Sequence, residues 1–148
     1  MKNLKIQILI IIGLVIGLSS CKKDDPKSDL DKRKEAVSTS WEVQSATPGT
    51  ENVDFESPVT INFSLDGNYN IENFESLDAA NLNHDGVLSS SGTWEISENN
   101  LDLVTLEDGN SVTITQLNET NFNFNYSSAY PKATDDAQTI SISTTKVN

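Results

Sequence analysis

The chain has few of the residues that build most chemical centres. It contains one cysteine, one histidine, one methionine and two tryptophans in 148 residues. A single cysteine excludes a disulfide within the monomer and any zinc site built mainly on thiolates. A single histidine, His84, excludes a centre that needs two imidazoles. Positive charge is scarce as well: ten Lys and Arg stand against 22 Asp and Glu, a formal net charge of −12. Proteins that hold nucleic acid neutralise phosphates with a clustered basic face, so nucleic acid is not an expected partner. The hydrophobic share is 36%, below that of an ordinary globular chain. Part of it is concentrated in one N-terminal block. That apolar run, residues 6–18, is too short to cross a bilayer, which takes roughly 20 residues. Asn, Ser and Thr supply nearly a third of the chain. They are weak helix formers and suit turns and solvated strand faces.

What the N-terminus does contain is an address. Lys2 and Lys5 precede the apolar run, and Leu18-Ser19-Ser20-Cys21 follows it. This order of positive, apolar and small residues marks a secretory signal. The ending resembles a lipobox, in which small residues precede a cysteine that is acylated after cleavage. The resemblance implies lipid attachment at Cys21 and a mature chain of 128 residues that has lost two lysines and no acid, for a net charge of −14. More than one acyl chain gives stable anchoring. So acidic a chain is repelled by anionic headgroups, and the protein is expected to hang from its lipid rather than lie on the membrane. Residues 22–29, Lys-Lys-Asp-Asp-Pro-Lys-Ser-Asp, read as a solvated tether. Lys23-Asp24-Asp25 resembles the export signal of surface-exposed Gram-negative lipoproteins. It implies the outer face of the outer membrane, with the periplasmic leaflet as the alternative.

Leu30 to Val37 reads as a short helix capped by Ser28 or Asp29. Beyond Ser40 the periodicity becomes two. Val53, Phe55, Val59, Ile61 and Phe63 alternate with polar neighbours, as do Trp94 and Ile96, Val112 and Ile114, and Phe122, Phe124 and Tyr126. Such alternation marks strands with one buried face. Asp66-Gly67 and Asp108-Gly109 supply hairpin turns. Strands are predicted near 41–46, 58–65, 68–74, 91–97, 101–106, 111–117, 121–126 and 138–145. Eight consecutive strands with mostly short turns close most simply into an all-β, antiparallel, up-and-down barrel, preceded by one short helix. The expected organisation is a signal peptide over 1–20, an acylated cysteine with tether and helix over 21–37, and a barrel over 38–148.

Trp41, Phe63-Ser64-Leu65-Asp66-Gly67-Asn68-Tyr69, Gly92-Thr93-Trp94-Glu95-Ile96, Leu101-Asp102-Leu103, Val112-x-Ile114-x-x-Leu117 and Phe122-x-Phe124 together resemble the lipocalin-like domain of small bacterial lipoproteins. The likeness covers roughly 38–145. In one departure, Thr39-Ser40 stands before Trp41 where the family usually carries glycine.

Few residues are candidates for chemistry. Asn81-Leu82-Asn83-His84-Asp85-Gly86 places oxygen side chains at alternate positions before a glycine, like the first half of a calcium loop. Asn81, Asn83 and Asp85 are the candidate ligands. The twelfth position is Gly92 instead of a bidentate Glu, so a plain turn-rich connection is the competing reading. No nucleophile-elbow motif accompanies His84, and neither an enzyme nor a cofactor is expected. Trp41, Tyr69, Trp94 and Tyr126 are candidate walls for a small apolar or glycan-like ligand in the barrel mouth, although core packing alone also accounts for them. The large inward side chains favour a small cavity over a roomy one. The expected protein is a monomer with the membrane as a partner through its lipid. It either binds a small molecule or, with a filled barrel, meets a protein partner at the cell surface.

Overall fold

The computed structural model describes residues 26–80, 82, 86–129 and 137–148. The signal segment, Cys21, Lys23-Asp24-Asp25 and the candidate ligands Asn81, Asn83 and Asp85 lie outside these residues.

Helix α1 spans Asp29–Val37. Ser28 caps it through a capping box with Asp31: its hydroxyl accepts from the Asp31 N–H at 3.1 Å, and the Asp31 carboxylate accepts from the Ser28 N–H at 3.3 Å. The Ser28 contacts hold the Asp31 carboxyl below its ordinary range. Eight strands follow: β1 Ser40–Pro48, β2 Thr60–Phe63, β3 Asn68–Glu72, β4 Ser91–Ser97, β5 Asn100–Leu106, β6 Ser111–Leu117, β7 Phe122–Ala129 and β8 Ala137–Lys146. Each pairs antiparallel with the next, and β8 returns to β1, so the sheet is a closed eight-stranded barrel. The closing seam runs from Trp41 opposite Lys146 to Pro48 opposite Ile140.

The predicted alternation decides which side chains point inward. Ile61 and Phe63, Tyr69 and Ile71, Trp94 and Ile96, Val112 and Ile114, and Phe122, Phe124 and Tyr126 are all buried. In β1 the parity switches. Trp41 and Val43 point in, an irregularity between Val43 and Ser45 shifts the register, and Ala46 takes over the inward side. In β5 the inward pair is Val104 and Leu106, while Leu101 and Leu103 stay half-buried. At the β2–β3 turn Gly67 adopts φ +87°, the left-handed region that an Asp-Gly turn accepts cheaply. Hydrogen bonds from Ser64 and Asn68 hold the Asp66 carboxyl there below its ordinary range. The second Asp-Gly turn forms as a 3-10 turn at Glu107–Gly109.

One element was not foreseen. β3 ends at Glu72, short of the predicted 74. Asn73 then adopts a left-handed conformation and starts a second helix, α2, Phe74–Ala79. The connection from β3 to β4 is therefore partly core. Leu77, Leu82 and Leu88 are buried to 5% exposure or less.

Candidate functional site

Strand direction sorts the connections onto two ends. α1, the turns 64–67, 98–99 and 118–121, and the C-terminus share one end. The β1–β2 segment, α2 with residues 86–90, and the Glu107–Gly109 turn share the other.

Between these ends the barrel interior is an aromatic column. Trp41 packs on Phe122 with ring centroids 5.6 Å apart, and Phe122 meets both Phe63 at 5.5 Å and Phe124 at 5.2 Å. Phe63 carries Trp94 edge-on at 5.2 Å and Tyr69 at 6.0 Å, while Phe124 leads to Tyr126 at 6.4 Å. Such pairs add to the burial of their area, because ring edges and faces carry opposite partial charge. All four candidate wall residues thus join one structure, but none stands at an open mouth. Trp41 closes the α1 end, where its indole N–H donates to the Val37 carbonyl at 2.9 Å. The departure at Thr39-Ser40 does not disturb that packing: Trp41 is 1% exposed, and the Thr39 carbonyl accepts from the Phe63 N–H. The Trp94 indole N–H donates to the carbonyls of Ser64 and Asn68, at 3.0 and 3.1 Å. Tyr69 lies over Gly92, where an added Cβ would come within 3.1 Å of its ring and 2.7 Å of a Glu107 carboxylate oxygen. That carboxylate accepts from the Thr93 N–H, so the space beside Gly92 is taken by a side chain.

Tyr126 reaches the opposite end. Its hydroxyl donates to the Leu82 carbonyl at 2.6 Å. Burial pushes the phenol well above its ordinary pKa, and it stays a neutral donor. Leu82 is fully buried, and Leu77 and Leu88 lie beside the same core. With this end covered, the free space among Ile61, Phe63, Tyr69, Leu88, Leu106 and Phe124 is about 10 Å³, no more than one water needs.

The roomier concavity lies outside. A groove of about 930 Å³ runs between α1 and the barrel end, with Trp41, Leu101 and Leu117 on its apolar side and Lys32, Arg33 and Lys146 among its polar lining. Arg33 fixes α1 there: it donates to the Leu101 carbonyl and pairs with Asp102. Among the described residues no group of three or more His, Cys, Asp or Glu is placed to hold a metal ion.

The family model for the lipocalin-like domain matches residues 38–124, more than half of the chain. The chain belongs to the lipocalin-like domain family. No curated protein matches it. The family match starts just before β1 and ends within β7, so it takes in Trp41, Tyr69 and Trp94, while Tyr126 and the closing strand β8 lie beyond it. Three features of this lipocalin-like barrel escaped the sequence reading: the covering leucines, the outer groove and the Arg33–Asp102 clamp. The leucines are scattered through a connection with no strand or helix period, and the other two combine elements far apart in the chain.

Proposed function

We propose that the chain is a lipid-anchored protein of the Gram-negative outer membrane, displayed on the cell surface, whose barrel binds a small apolar ligand without catalysing a reaction on it. The lipobox ending at Cys21 supports the anchor, Lys23-Asp24-Asp25 supports surface export, and the family supports small-molecule binding. One observation carries the binding reading. The leucines that fill the end of the interior opposite α1 come from the β3–β4 connection. A ligand can take their place without breaking a strand pairing. The space they fill is continuous with the aromatic column, so the ligand it suits is apolar. A carbonyl or hydroxyl on that ligand would replace the Leu82 carbonyl as acceptor for Tyr126.

The second reading, a filled barrel that serves a protein partner, is favoured by the 10 Å³ interior. Native mass spectrometry of the full chain from its own cells separates the two. On the binding reading a small apolar molecule is carried along, and the neutral probe N-phenyl-1-naphthylamine quenches tryptophan fluorescence saturably, more tightly in Leu82→Ala. No co-purified molecule, and no probe binding by either protein, would leave the filled-barrel reading standing.

A further inference from the structure

Helix α1 stands outside the family match, which begins at residue 38, and its attachment to the barrel is narrow. Leu30, Arg33, Lys34 and Val37 are its half-buried or buried positions, one stripe at spacings of three and four. Val37 alone of these is fully buried. It sits at the end next to β1, where its carbonyl accepts from Trp41. Over the first two turns the helix is held by Leu30, packed against the core, and by Arg33, which donates to the Leu101 carbonyl at 3.2 Å and pairs with the Asp102 carboxylate. Asp29, Lys32 and Ala36 line the groove of about 930 Å³ instead, so that side of the helix meets open space and not a packed surface.

Two physical consequences follow. The Arg33 and Asp102 side chains are 25% and 59% exposed, so water and salt weaken their attraction. Nine residues are also fewer than the roughly 12–15 that an isolated helix needs, so α1 off the barrel unwinds even with its capping box. The barrel does not depend on it. The pairings of β1 begin at Ser40, and the Trp41–Val37 hydrogen bond lies at the hinge itself.

We propose that α1 is a releasable strap, latched by Arg33 on Asp102, that unwinds as far as Val37 while the barrel stays closed. On the anchored reading, on which this consequence rests, the latch gives the tether two lengths. Latched, residues 22–28 span at most on the order of 25 Å between Cys21 and α1, and released, residues 22–37 span at most on the order of 55 Å. The barrel is then either kept near the lipid surface or allowed to reach away from it.

Hydrogen–deuterium exchange on the full chain, followed by mass spectrometry, reads the strap without a membrane. Amides of residues 32–38 are expected to exchange at least tenfold faster than those of β7 and β8, yet several-fold slower than in a free peptide of the same sequence. Asp102→Ala and Arg33→Gln should each speed α1 several-fold further and leave the strand amides and the urea midpoint as in the parent. Amides of α1 as protected as the strands would overturn the proposal, because α1 would then open only with the barrel. Exchange at the free-peptide rate in the parent would also overturn it, since no latched state would exist. Strands that speed up along with α1 in both variants, or α1 exchange unchanged in both, would overturn the latch. The tether is read separately, by energy transfer from a fluorophore at Ser57→Cys to acceptor headgroups in vesicles carrying the lipidated chain, which Asp102→Ala should lower. A protein that floats with the vesicles but shows unchanged transfer sinks the two-length tether. One that does not float sinks the anchor and leaves the strap to be decided by exchange.

Discussion

The indole of Trp94 has an apolar and a polar role at once. Its ring meets Phe63 edge-on, and its N–H is shared between two carbonyls of the β2–β3 turn. Removing it leaves a cavity and deprives two carbonyls of a donor. Trp94→Ala is expected to cost about 3–5 kcal/mol, a large part of the roughly 5–15 kcal/mol that keeps such a domain folded. The urea midpoint should fall steeply. A variant that unfolds like its parent would instead make Trp94 a ligand wall. That Trp94 points inward was legible in the sequence, because Thr93 and Glu95 are polar and the strand period is two. Its hydrogen-bond partners were not legible, since they come from another hairpin.

Among the elements, the strands were legible and the β3–β4 connection was not. Alternation survives in a strand because every second side chain meets the same core. A helix of six residues is shorter than any that forms by its own propensity, and Phe-Glu-Ser-Leu-Asp-Ala shows no helical stripe. Leu77, Leu82 and Leu88 become core only because a barrel end needs covering. The same limit applies to the candidate site. Parity placed the four aromatic residues inside, whereas their distribution from one end to the other depends on strand tilt and register. The Tyr126 contact makes the covering segment testable by pH. The folded phenol is raised above the unfolded value of about 10. Its contribution is therefore intact below pH 10 and is lost as pH rises, because the unfolded chain releases the proton first. Tyr126→Phe should be less stable at neutral pH, by about 1–3 kcal/mol for the orphaned Leu82 carbonyl. Its stability should also fall less between pH 9 and 11 than the parent's, followed by urea unfolding at each pH. Parallel loss in both proteins would show that the hydroxyl is not buried in solution.

At the scale of the molecule, closure is the step that the local pattern cannot supply. Seven of the eight strand pairings join neighbours in the chain, while the eighth brings Trp41 opposite Lys146 across the whole domain. Hairpins form early because their loops are short, whereas this seam must meet a loop-closure cost that grows with separation. Without it the sheet has two open edges, β1 and β8, each a template for another chain. β8 also carries Ile140, Ile142 and Thr144 into the core, and the Thr144 hydroxyl donates to the Phe122 carbonyl. Deleting 137–148 is therefore expected to do more than subtract one strand's burial. The truncated chain should lose the near-ultraviolet circular dichroism of its packed aromatic column and elute as concentration-dependent aggregates in size exclusion. A truncated chain that stays monomeric and unfolds cooperatively would mean that the first seven strands hold their own core, and that the β1–β8 seam is an addition to the fold, not its closing condition.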